Sequence, residues 1–227
     1  MEENMDIYLK PTGYIDSGSR PVIDFAGKAI TGISDDIGRA VSVFYAVRDG
    51  IRYNPYLISP EKSTLVASNI LAKGEGYCVQ KAILLAAALR SAGIPCRLGF
   101  AIVKNHLTTP RMRELLQGDL FVFHGYNEIH LGGKWIKATP TFDIGLCKRF
   151  GVLPLDFDGT RDSIFHQFDS AGNRHMEYLH DYGTFADLPY DLMISEVTRH
   201  YPHLAEQFMK GDWQPEGNFA EEAEQSH

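Results

Sequence analysis

Cys78 is the residue of greatest chemical potential in the sequence. It ends the glycine-bearing turn Gly74-Glu75-Gly76-Tyr77-Cys78 and directly precedes Val79-Gln80-Lys81-Ala82-Ile83-Leu84-Leu85-Ala86-Ala87-Ala88-Leu89-Arg90. That alanine- and leucine-rich run has strong helix propensity and little polar surface, so it predicts a central helix buried almost all round, stopped by Gly93. A sulfur at the first position of such a helix meets unpaired backbone N–H groups and the positive end of the dipole, which favour thiolate over thiol and make it nucleophilic. The same N–H groups can stabilise an oxyanion, worth about 3 kcal/mol per donor in other enzymes. The competing reading of Cys78 by residue type alone is a small buried hydrophobe.

Thiolate chemistry needs a proton carrier, and His124 is the best placed histidine. It lies in the β-rich run from Leu120 to Leu131, where a strand fixes side-chain direction and Gly125 leaves room for close approach. Gly132-Gly133 then joins this run to Lys134-Trp135-Ile136-Lys137-Ala138-Thr139, a strong hairpin signal. The hairpin returns Thr139 to Asp143 near His124, where a side chain can orient the imidazole. Tyr53, Tyr77 and Thr139 are candidates for substrate binding or an oxyanion donor, though packing is the commoner role of a tyrosine. Cys96 and Cys147 read as core. His130 shares a strand face with His124 but stands about 20 Å away, too far to share an ion, and His166, His175 and His180 form no ligand spacing. Neither a metal nor a cofactor is expected.

These residues resemble a known family. Gly76-Tyr77-Cys78 before an Ala/Leu-rich helix, then Leu89-Arg90-Ser91-Ala92-Gly93-Ile94-Pro95-Cys96-Arg97, is similar to the catalytic-cysteine segment of bacterial transglutaminase-like proteins, where a helix ends in R-x-x-G-I-P-A-R. His124-Gly125-Tyr126-Asn127-Glu128-Ile129 resembles the family's H-A-W-x-E-V strand, and Gly133-Lys134-Trp135-Ile136 the tryptophan strand after it; the likeness covers roughly residues 35 to 145. It implies an α+β papain-like fold, a central helix beginning at the nucleophilic cysteine packed on an antiparallel β-sheet, with a Cys-His-Asp triad. The family's third member opens an Asp-Pro-Thr, whereas this chain reads Thr139-Pro140-Thr141. Asp143 is the nearest carboxylate and is the candidate acid, with Thr139 the alternative at that position; Cys78, His124 and Asp143 form the expected triad.

Around this core, 227 residues suit a single domain. The sequence predicts a β-rich N-terminal segment over 1–33, a catalytic core over 34–145, a C-terminal extension over 146–215 and a disordered tail over 216–227. Within these, Ser34-Asp35-Asp36 caps a helix ending near Gly50, Pro60-Glu61 opens a shorter one, Pro110 to Leu116 forms a short helix in a long excursion, Leu153 to Phe157 and Arg174 to Leu179 are candidate strands, and Tyr190 to Met209 is a last helix. The net charge of -7 argues against nucleic acid and anionic membrane as partners. No apolar stretch of membrane-spanning length occurs and the N-terminus is acidic, so the expected location is cytoplasmic.

Cysteine-dependent acyl transfer or hydrolysis of amide bonds is therefore the expected activity, on a protein, peptide or small amide substrate. A cysteine protease or amidase is favoured over protein crosslinking between glutamine and amines. A non-catalytic scaffold or peptide-binding module is the alternative, motivated by Thr139, and small-molecule acyl transfer of the arylamine acetyltransferase kind is a narrower one. The sequence leaves the oligomeric state open.

Overall fold

A computed structural model describes residues 4–106, 108–164, 176–213 and 217–224. Helices α1 (Arg20–Ala29) and α2 (Asp36–Gly50) come first, followed by a two-residue parallel pairing of β1 (Arg52–Tyr53) with β2 (Glu75–Gly76), between which lies α3 (Ala67–Lys73). Then come α4 (Cys78–Ser91), β3 (Cys96–Asn105), α5 (Pro110–Leu116), β4 (Leu120–Leu131), β5 (Lys134–Ala138) and α6 (Ile144–Arg149). The described chain closes with β6 (Met176–Phe185), α7 (Tyr190–His200), α8 (Pro202–Lys210) and α9 (Phe219–Glu224).

The sheet is antiparallel in the order β5-β4-β3-β6, and α4 lies across one face of it, as the α+β expectation requires. Every residue of α4 from Cys78 to Arg90 is buried. Its alanines make that possible, because Ala86, Ala87 and Ala88 let neighbouring elements approach the helix axis from several sides. Along β4, Asn127 turns toward the helix and donates to the Ala82 carbonyl at 2.9 Å. Position 125 faces the same way: a Cβ there would meet the Val79 Cα at 2.9 Å and the Cys78 carbonyl oxygen at 3.2 Å, so only glycine allows this contact. The alternation of strand side chains then assigns His124, Tyr126 and Glu128 to the opposite face. Upstream, a bulge interrupts the β3–β4 register and Phe123 takes a left-handed φ of 62°.

The residues that carry the family likeness have structural work to do. Arg90, 4% exposed, donates to the carbonyls of Cys96, Lys10 and Ala186, tying the end of α4 to three separated segments. Arg97 pairs with Glu128 directly across the strands, at 2.6 Å, and stacks on Trp135 at 4.0 Å. Gly132 and Gly133 both take positive φ, the conformation a tight hairpin demands.

Four expectations are corrected. The segment over 1–33 is helical and irregular among its described residues: α1 opens with Pro21 in its first turn and buries Val22 and Ala26, a spacing of four that belongs to a helix rather than a strand. Residues 153–157 are not a strand. The last helix is broken into α7 and α8 because Pro202 cannot continue an α-helical hydrogen-bond ladder and instead starts a new helix. Within the expected disordered tail, Phe219–Glu224 form α9, which buries Phe219 and Ala223. His166 and His175 lie outside the described residues.

Replacing Arg90 by leucine leaves several buried carbonyls without their charged donor. The expected cost is about 3 kcal/mol of folding stability, read from the urea midpoint.

Candidate active site

Cys78 is the first residue of α4, and Tyr77 is its extended N-cap. The turn is held from behind, since Gln80 accepts from the Tyr77 N–H at 3.1 Å and donates to the Thr64 carbonyl at 2.8 Å. Backbone N–H groups of Gly125, Val79 and Cys78 itself favour the thiolate, yet burial outweighs them and pushes the thiol up to about 11. The thiol is 6% exposed. All three cysteines are free and buried, and Cys96, pushed up to about 12 chiefly by burial, packs in β3 as expected of a core residue.

His124 is 3% exposed, and burial holds its imidazole down to about 4. Its ring stands edge-on to Tyr178 of β6, with centroids 6.4 Å apart. Because the Gly125 N–H reaches the sulfur, Cys78 lies beside the peptide that joins His124 to Gly125. Burial thus moves each group toward its neutral form, the thiol upward and the imidazole downward.

Asp143 is engaged elsewhere. One carboxylate oxygen caps α6 by accepting from the Leu146 N–H at 2.9 Å, and the other accepts from the Tyr53 N–H at 3.1 Å. Thr139 follows the end of β5, where Ala138 pairs with Asn127 of the α4-facing set, so alternation directs Thr139 to the face that carries His124. Its hydroxyl is buried and has no hydrogen-bond partner among the described residues, as is the case for Thr141 and Ser163, and the Thr139 N–H donates to the Ser163 carbonyl at 2.9 Å.

Tyr53 and Tyr77 both line a cavity of about 40 Å³ that includes Cys78. Burial raises each phenol well above its usual value, which keeps both as neutral O–H donors. The rest of this cavity was not foreseen. Met112, Leu115 and Leu116 of α5 form its roof, and Tyr201 closes one side, its hydroxyl donating to the Leu120 carbonyl at 2.7 Å and accepting from the Val122 N–H at 2.8 Å. The length of the excursion between β3 and β4 was the one signal for this roof; nothing local marks Tyr201. In turn α9 fastens α5: Thr109, the N-cap of α5, and Tyr56 both donate to Glu222, while Phe219 wedges between Tyr53 and Phe150. A larger cleft of about 470 Å³ lies behind the Tyr77 turn and does not include Cys78.

A cysteine at the tip of a central helix, set against an antiparallel sheet beside a strand histidine, defines a papain-related α+β protein. The chain belongs to the transglutaminase-like superfamily, whose profile matches residues 23–140. Among solved structures it is similar to a candidate cysteine protease from Cytophaga hutchinsonii, at 17% identity and a TM-score of 0.48, over 82% of this chain and 55% of that one. It is also similar to a candidate protease from Parabacteroides distasonis, at 16% identity and a TM-score of 0.39, over 60% of this chain and 25% of that one. The chain thus spans about half the length of the first of these and a quarter of the second. No curated protein matches. Among the described residues no helix is long and apolar enough to cross a membrane, and no group of three His, Cys, Asp or Glu could hold a metal ion.

Two outcomes are expected from this geometry. Between pH 6.5 and about 4 the unfolded chain binds a proton at His124 that the folded chain does not, so stability falls as pH drops through that window. The slope from this group is about 1.4 kcal/mol per pH unit, visible in urea midpoints and absent from His124→Phe. Glu222→Ala, which frees the N-terminus of α5, should speed alkylation of Cys78 by iodoacetamide about fivefold, the factor given by about 1 kcal/mol of lost hydrogen bonding.

Proposed function

We propose that the protein is a cysteine-dependent amidase or peptidase with Cys78 as nucleophile and His124 as its proton carrier. The observation that carries this reading is the sulfur at the start of α4, within reach of the Gly125, Val79 and Cys78 backbone N–H groups and open to a cavity. In the first step the sulfur attacks a substrate carbonyl and the thiol proton passes to His124. The developing oxyanion is stabilised by backbone N–H groups at the helix tip and by the neutral Tyr53 or Tyr77 hydroxyl. The C–N bond then breaks as His124 protonates the leaving amine, giving a thioester. Water, deprotonated by His124, releases the acid and restores the thiol. Because burial favours the neutral form of each group, proton transfer accompanies attack rather than preceding it.

Thr139 holds the place of the family's aspartate in this reading, and Asp143 acts through structure by anchoring β1 and α6. A third member orients the imidazole and does not carry the chemistry, so a hydroxyl there lowers the rate without abolishing it. A second reading, a scaffold without catalysis, draws on the burial of Cys78 and on Thr139.

Iodoacetamide labelling with mass mapping separates the two. In the catalytic reading Cys78 labels, its rate rises with pH without a plateau below about 10, as a raised thiol requires, and His124→Ala slows it. A Cys78 rate unaffected by loss of the imidazole leaves only the scaffold. Thr139→Asp should raise the imidazole pKa by supplying an adjacent carboxylate, moving the acidic limb of the pH–rate profile upward. Asp143→Asn should lower stability and leave that limb where it was.

A further inference from the structure

The walls of the cavity at Cys78 bear on the substrate, given the nucleophilic role assigned to that residue. Among the described residues that line the cavity none is charged: its roof is Met112, Leu115 and Leu116, and its walls include Ile58, Phe121 and Val122. The side-chain oxygens among these described residues are tyrosine hydroxyls, and that of Tyr201 is spent on the backbone of β4. At about 40 Å³ it has room for roughly three waters, or for the first carbons of an acyl group.

A second cavity, of about 20 Å³, adjoins it across Ile58, Tyr77 and Val122, which line both. This one is walled by Phe123 and by Met193, Ile194, Val197 and Phe208 of the C-terminal helices, and none of its described lining residues is charged. Apolar side chains therefore line two adjacent cavities between Cys78 and the α7–α8 pair, with Ile58, Tyr77 and Val122 as their common wall.

We propose that the acyl part of the substrate is an uncharged, apolar chain, seated in the cavity at Cys78 and extending toward Ile194. A carboxylate or ammonium on that chain would lose its hydration and find no ionic partner. With α5 seated only the first carbons fit, so a longer chain enters by lifting α5 against its tie to Glu222.

Acylation of the full-length protein by 4-nitrophenyl esters tests this directly. The sulfur attacks the ester carbonyl, the C–O bond breaks, 4-nitrophenolate leaves, the thiol proton goes to His124, and the thioester is located by mass. Rates normalised to those of free cysteine should rise from acetate to hexanoate, by up to about fourfold per methylene, and the succinate half-ester should be at least about tenfold slower than butyrate, reflecting the unpaired charge. Ile194→Trp, at a half-buried position where bulk is tolerated, should shift the optimum toward shorter chains, and Leu115→Lys should favour succinate. A flat chain-length profile, equal succinate and butyrate rates, or an optimum unmoved by Ile194→Trp overturns the inference while Cys78 remains a nucleophile. If no ester acylates Cys78 although each acylates free cysteine, the nucleophilic reading falls and the inference falls with it.

Discussion

The contact on which the site depends is that between Gly125 and the first turn of α4. A methyl group at position 125 would sit 2.9 Å from the Val79 Cα, which is backbone and cannot yield. Absence of a side chain lets helix and strand close to the distance at which a strand N–H reaches the helix-tip sulfur. The contact also fixes a face: with 125 and 127 committed to the helix, His124 is committed to the other side of the sheet, along with Thr139. The candidate site is thus built where the first turn of α4 meets the His124–Gly125 peptide of β4, an interior strand of the sheet.

Much of this was legible from local signals. The helix at Cys78, its stop at Gly93, the Gly132-Gly133 hairpin and the Pro110 to Leu116 helix each announce themselves through propensity or punctuation within a few residues. Misreadings arose where two periods compete or where the deciding partner is remote. Glycines at 13, 18, 27 and 32 suggested turns between strands, and the four-residue spacing of Val22 and Ala26 was the weaker signal. Asp143, the nearest carboxylate in sequence, also has a local role that the sequence signals, since an aspartate immediately before Ile144-Gly145-Leu146 is a helix N-cap. Tyr201 reaches the cavity, and Glu222 the start of α5, only through tertiary packing, which no local pattern encodes.

Burial shapes the electrostatics more than any single charge does. A helix tip ordinarily makes a cysteine acidic, and here the same tip is enclosed so fully that the thiol becomes less acidic than a free one. The imidazole moves in the opposite direction for the same reason, since each group gives up its charged form. Lys81, one turn further along α4, follows the same rule: burial lowers its ammonium to about 7 even though it donates to the Arg48 and Ile51 carbonyls at the end of α2. Its position there complements the negative end of α2 and locks that helix to the one that begins at Cys78.

The irregularity in β4 just ahead of His124 has an effect on shape. In an unbroken strand, neighbours point to opposite sides, and one side of the sheet receives only every second residue. The left-handed turn at Phe123 resets that phase, at a conformational cost of roughly 1–2 kcal/mol, so that Phe121, Val122 and Phe123 each border one or both of two adjacent cavities. An oily wall three consecutive residues wide thereby precedes His124 within the same strand, and the greasy lining and the polar residues beyond the kink can vary independently.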